Sequence, residues 1–206
     1  MSRNSVSNRI GVDQGAANQA GFTLVELMVA IAIVLLLLLI AVPSFADLID
    51  RARVRGAAGA AISVLSEARG GAVQRNKDVV VHFAGTDPAW CVGAVSATNP
   101  ATGSPVDPSV QDQECECDSA PTTCKVGDQQ LTVLSADYNG VTMGTRPGNF
   151  VYDGRFGWVQ GLTPPSNVIF TSPKGKYQIQ LNVAPLGQAS MCIPSGQPAI
   201  QGISSC

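Results

Sequence analysis

A single carboxylate stands in the apolar stretch Gly21-Phe22-Thr23-Leu24-Val25-Glu26-Leu27, and Phe22 to Ala46 holds no other charge. A charge at depth in a bilayer helix costs about 2.5 to 3.5 kcal/mol even on the mild insertion scale, so Glu26 is expected to have a cationic partner. A second reactive set is the six cysteines, Cys91, Cys115, Cys117, Cys124, Cys192 and Cys206, all beyond the apolar run. An even number confined to that part argues for disulfides in an oxidising compartment, and six cysteines allow 15 pairings. The expected arrangement joins Cys192 to Cys206, fastening the C-terminus, and uses the other four to clamp a loop to the strand at Cys91.

Other chemistries find less support. Cys115-Glu116-Cys117 lacks the two-residue spacing of a structural zinc knuckle and no second such pair follows, so no metal site is expected. Asp112, Glu114, Glu116 and Asp118 alternate in the same stretch without the glycine and ligand spacing of an EF-hand loop, which reads as a solvated acidic loop. The one histidine, His82, falls inside a strand-like run, with no nucleophile elbow, metalloprotease helix or phosphate-binding loop to accompany it. No enzyme activity, cofactor or small-molecule substrate is therefore expected.

The elements that position these residues follow from periodicity. Residues 22–46 read as a helix of about 25 residues, long enough at about 1.5 Å per residue to cross the hydrocarbon core. A removable signal peptide would have a shorter apolar run with a cleavage site after it, and here the helical pattern continues past the run. Pro43 lacks a donor and crowds the preceding turn, so a kink is expected there. Residues 47–75 continue the helix in amphipathic form, with Val54, Ala58, Ala61, Leu65, Ala68 and Ala72 on one face destined to lie on a sheet. Arg51, Arg53, Arg55, Arg69 and Arg75 fall mostly on the opposite side, facing solvent or neighbouring subunits. Residues 76–206 form a β-rich domain, with strands expected at Val79–Phe83, Trp90–Val95, Leu131–Leu134, Phe150–Tyr152, Asn167–Phe170 and Tyr177–Val183, and a hairpin turn at Lys174-Gly175. The fold class is α+β, one long N-terminal helix packed on an antiparallel β-rich head. Residues 96–128, with Pro100, Gly103, Pro105, Pro108 and Pro121 among small polar residues, read as a loop tied down by its cysteines.

Gly21-Phe22-Thr23-Leu24-Val25-Glu26 resembles the cleavage and methylation motif of type IV pilins and type II secretion pseudopilins. The resemblance implies that residues 1–21 are a leader, that prepilin peptidase cuts between Gly21 and Phe22 on the cytoplasmic side, and that Phe22 becomes the N-methylated first residue. It makes Glu26 the fifth residue of the mature chain, where the carboxylate meets the cationic N-terminus of a neighbouring subunit. Pro43 stands where pilins commonly carry a kinking proline. The leader is longer than most, and Ala20 occupies a position where a basic residue is usual, while Arg3 and Arg9 keep the leader cationic as a cytoplasmic segment requires.

The wider pattern, a long helix, a β-rich head, Trp90-Cys91-Val92-Gly93, a cysteine-containing loop and a C-terminal strand ending in Gly187 and Cys192, is similar to the GspH/FimT group. That implies a structural minor pilin acting in assembly, in initiation or at the tip of a type IV pilus, with a minor pseudopilin of type II secretion as the alternative machine. The partners implied are prepilin peptidase, other pilins or pseudopilins, and the bacterial inner membrane, spanned once with the head in the periplasm before assembly into the filament. DNA capture, which some relatives perform through a Gly-Arg-x-Arg motif, is not expected, because Gln188 and Ser190 stand where the arginines would. From Asn76 onward six Lys and Arg face ten Asp and Glu, a poor balance for phosphate binding. Lys174, Lys176, Arg146 and Arg155 are the cations from which a local basic patch would have to be built.

Overall fold

The structure, a computed structural model, describes residues 21–97, 115–162 and 166–206. It divides into two compact units, Met1–Pro43 and Ser44–Cys206. Helix α1 (Leu24–Arg75, 52 residues) contributes to both.

In the first unit the apolar side chains of the helix are exposed among the described residues. Leu24, Leu39 and Ile40 are each 74 % exposed, and even Leu38 is 50 % exposed. Its length and apolar composition suit a membrane span. Helical backbone runs through Pro43, whose side chain lies outside the described residues, and the kink expected there lies outside them too.

Among the described residues the second unit is built on the rest of α1 and ten strands. They are β1 (Val79–Thr86), β2 (Ala89–Ser96), β3 (Lys125–Val126), β4 (Gln129–Leu134), β5 (Thr142–Met143), β6 (Phe150–Tyr152), β7 (Val159–Gln160), β8 (Asn167–Thr171), β9 (Gln178–Val183) and β10 (Ala189–Cys192). One sheet has the order β3-β4-β2-β1-β6-β7 and the other β10-β9-β8-β5. All the pairings between these strands are antiparallel. The expected α+β architecture is thus the observed one.

Side-chain alternation divides the larger sheet between two cores. Val79, Val81, Phe83, Trp90, Val92, Ala94, Phe150 and Tyr152 join the main core with α1 and the second sheet, and the expected helix face, Val54, Ala58, Ala61, Leu65, Ala68 and Ala72, is fully buried in it. Val80, Cys91, Val95 and Val151 point the other way, into a smaller core closed by Cys115, Cys117 and Cys124. Trp90 ties the sheets together: its ring meets Phe170 of β8 edge-on at 5.2 Å between centroids, and its indole N–H donates to the Val141 carbonyl at 2.7 Å.

Six expected strands are present with ends shifted by a few residues, and Gly175 takes the turn between β8 and β9 with φ of 70°. β10 falls in the C-terminal strand with Gly187 and Cys192 that the family resemblance implied, whereas β3, β5 and β7 were not expected. These three are only two residues long, too short for an alternating pattern to show. The part of the expected loop 96–128 that is described also differs, since it holds β3 and a 3-10 turn at Pro121–Thr123. Asp112 and Glu114 of the acidic series lie outside the described residues.

Candidate functional site

Gly21, Phe22 and Thr23 precede the helix in non-helical backbone, and α1 starts at Leu24. The start is fixed by a cap: the Glu26 backbone N–H donates to Thr23 Oγ1 at 3.2 Å, and the Leu27 N–H donates to the Thr23 carbonyl at 3.2 Å. A helix leaves its first four N–H groups without partners, and a threonine hydroxyl supplies one. Thr23-Leu24-Val25-Glu26 has the spacing of a capping box, in which the glutamate would bond back to the threonine N–H. Only the forward bond is made. Among the described residues the Glu26 carboxylate has no hydrogen-bond or ion-pair partner, and it stands exposed in the first turn.

This arrangement has two chemical consequences. The Gly21–Phe22 peptide bond lies outside the helix, where no intrahelical hydrogen bond has to be broken before a peptidase can bind it. The carboxylate sits where the positive end of the helix dipole stabilises it, and its oxygens are left for a cation from elsewhere. Thr23 was missed in reading the residues singly, although its Thr-x-x-Glu spacing was available as a signal.

Residues 16–42 match the family described as the prokaryotic N-terminal methylation motif. That motif is the pilin-like N-terminal signal, and it covers Gly21, Phe22 and Glu26 together with most of the apolar segment. It supports processing by a prepilin peptidase and anchoring in a membrane. Comparison with curated proteins and with solved structures found no match to the chain.

The six cysteines form three disulfides, Cys91–Cys117, Cys115–Cys124 and Cys192–Cys206. The last is the bond expected from sequence, and Cys91–Cys117 is the clamp from strand to loop. Cys115–Cys124 closes the loop on itself, and Gly93 explains the fit: a Cβ there would lie 2.8 Å from Cys115 Sγ and 2.9 Å from Cys124 Sγ. The glycine lets the disulfide lie directly on β2.

His82 is 8 % exposed, and its Nε2 has no hydrogen-bond partner among the described residues. Burial lowers its pKa, keeping the ring neutral. It borders a polar cleft of about 570 Å³ with Glu116, Asp118, Ser119, Arg146 and Asn149, and Arg146 is fixed there by donating to the Gly85 carbonyl. No group of three or more metal-ligating side chains occurs among the described residues.

The helix arginines are not simply solvated. Arg53 donates to the Asn139 carbonyl at 3.3 Å, Arg55 to Gln201 at 3.0 Å and Arg69 to Gly157 at 3.1 Å. Each straps a loop to α1, because the loops present carbonyls that no strand partner takes. The four cations considered for a basic patch do not share one element, and only Lys174 and Lys176 lie together, in the turn between β8 and β9. Arg146 lies by β1, Arg155 sits in the turn after β6, and Lys176 binds Asp47 at 2.8 Å.

The turn after β6 was not anticipated as a surface. Phe156 is 62 % and Trp158 52 % exposed, and their rings stack at 5.0 Å. Asp153 holds the turn, accepting from the Arg155 N–H at 2.9 Å and the Phe156 N–H at 2.8 Å. Gly157 between the two rings packs against Arg69 and Val73, where a Cβ would approach to 3.0 Å and 3.2 Å. The two aromatics are therefore presented outward on a braced support.

Proposed function

We propose that the chain is a structural, non-catalytic filament subunit, a minor pilin of the GspH/FimT kind acting in assembly or at the tip of a type IV pilus. Prepilin peptidase cuts between Gly21 and Phe22 and methylates Phe22. The observation that carries the reading is Glu26, a carboxylate without a partner among the described residues, on the first turn of a helix whose apolar side chains from Leu24 to Ile40 are exposed. Cleavage creates a cationic amine at Phe22, and the amine of one subunit paired with Glu26 of the next neutralises two groups that are each costly in an apolar surround. Before assembly the apolar helix anchors the subunit in the inner membrane with its head in the periplasm. In the filament it exchanges lipid for the helices of other pilins. The disulfide-closed head fits an oxidising periplasm. The braced pair Phe156 and Trp158 offers an aromatic anchor of the sort that dominates protein contacts.

The test is the intact mass of the protein recovered from membranes of a host with prepilin peptidase. The expected species begins at Phe22 and carries one added methyl group. A chain that keeps its leader in the presence of active peptidase overturns the proposal. Co-isolation then identifies the machine: recovery with pilus subunits agrees with the proposal, whereas recovery only with secretion components replaces it by a pseudopilin of type II secretion.

A further inference from the structure

The first turns of α1 within the second unit carry an unusual combination of groups. Phe45 is 65 % and Leu48 61 % exposed. Between them Asp47 accepts from Lys176 Nζ at 2.8 Å, from Tyr177 Oη at 2.7 Å and from Arg51 Nη2 at 2.5 Å. Arg51 and Lys176 both lie against the Tyr177 ring, 5.0 Å and 5.2 Å from its centroid. One turn on, Asp50 is 3 % exposed; it accepts from Ser172 Oγ at 2.7 Å and from the Lys174 backbone N–H at 3.2 Å. The turn between β8 and β9 is thereby fastened to the helix by its backbone and by Lys176, while the Lys174 side chain remains exposed.

The charges do not cancel. Two cations share the single carboxylate of Asp47, whose pKa Lys176 and then Arg51 hold well below the usual carboxylate range. Asp50 is withdrawn into the interior, and Arg53 and Arg55 donate to neutral carbonyls. Exposed apolar side chains beside a surplus of cations match the boundary of an anionic bilayer, where apolar groups enter the acyl region and cations meet phosphates.

We infer that Arg51, Lys174 and Lys176, with Phe45 and Leu48, form a docking surface for anionic phospholipid headgroups. The surface seats the head on the bilayer through the turn between β8 and β9 until assembly withdraws it. The inference rests on the membrane-anchored reading and does not require that a filament forms.

The full mature chain is placed in nanodiscs of phosphatidylcholine alone or with phosphatidylglycerol added, and hydrogen exchange of residues 172–177 is followed. Exchange is expected to slow about threefold or more in the anionic discs, with the protection reduced by high salt. Lys174→Ala, which leaves the Asp47 contacts in place, should lose part of this protection, and Lys174→Ala with Lys176→Ala most of it. Far-ultraviolet circular dichroism and intact disulfides identify variants that have kept their fold. Equal exchange in the two lipids overturns the inference, as does protection that survives in the folded double variant. Protection that arises only when another pilin subunit is added also overturns it, assigning the cations to an acidic protein neighbour. Failure to enter the discs overturns the anchoring itself, whereas a seated head with no filament in cells speaks against the filament role alone.

Discussion

The unit ending at Pro43 and the unit beginning at Ser44 handle apolar surface in opposite ways. The first leaves Leu24, Leu39 and Ile40 about three-quarters exposed, whereas the second buries Val54, Leu65, Phe150, Phe170 and Leu181 completely. At about 25 cal/mol per Å² an exposed helix face of that kind is strongly unfavourable in water. It becomes intelligible only with lipid or other helices around it. The head instead fills two cores of its own, closed by three disulfides, and leaves only local apolar patches such as Phe45 with Leu48 and Phe156 with Trp158 exposed. One chain thus joins a segment specified by its surroundings to a domain specified by itself.

The largest expected effect breaks the first side of this comparison. A Gly21→Val variant should accumulate entirely as leader-bearing precursor on immunoblots, with head and disulfides unchanged. Mature-sized protein from that variant would show that the residues outside the helix do not define the cut.

The next effect falls on the head. Replacing Cys91 and Cys117 together by serine should lower its stability by about 2 to 5 kcal/mol in denaturant melts, because the smaller core loses its covalent lid. If the loss were below about 0.5 kcal/mol, the noncovalent packing of that core would already be sufficient. Gly93→Val tests the same core by overfilling it. The new side chain collides with Cys115 and Cys124 sulfur, and a cost of about 1 to 3 kcal/mol is expected. An unchanged melting temperature would mean that the disulfide does not press on β2.

A smaller effect concerns pH. The folded His82 has a lowered pKa, so between that value and its unfolded value the unfolded chain binds more protons. Head stability should therefore fall as pH drops below the unfolded pKa, about 6.5, and level off below the folded one. His82→Gln should flatten that part of the profile. A profile identical in the variant would assign the acid sensitivity to other groups.

The two units were also unequally legible. Glu26 in an uncharged run, the small-residue helix face and the six longer strands could be read because charge, 3.6-residue spacing and alternation are local signals. β3, β5 and β7 needed the sheet itself, since each is a two-residue edge or corner placed by its partner strand. The Cys192–Cys206 bond was readable because the two are adjacent in the series of cysteines, 14 residues apart, whereas choosing Cys115–Cys124 over its alternatives required knowing that Gly93 leaves room for both sulfurs on β2. Phe156 and Trp158 escaped notice because their exposure is set by backbone hydrogen bonds donated to Asp153 and the packing of Gly157 on Arg69. The arginine straps depend on distant loops in the same way.

The central claim is that the first unit finds its partner through Glu26. Its most direct test compares mature wild type with Glu26→Gln in cells that build the filament, measuring each protein in sheared filaments relative to membranes. The neutral amide keeps the side-chain shape and the Thr23 cap while removing the charge. The account predicts normal cleavage, normal membrane levels and at least about a tenfold loss from the filament fraction, the factor that 1.4 kcal/mol of pairing free energy represents. Wild-type incorporation of Glu26→Gln would contradict it.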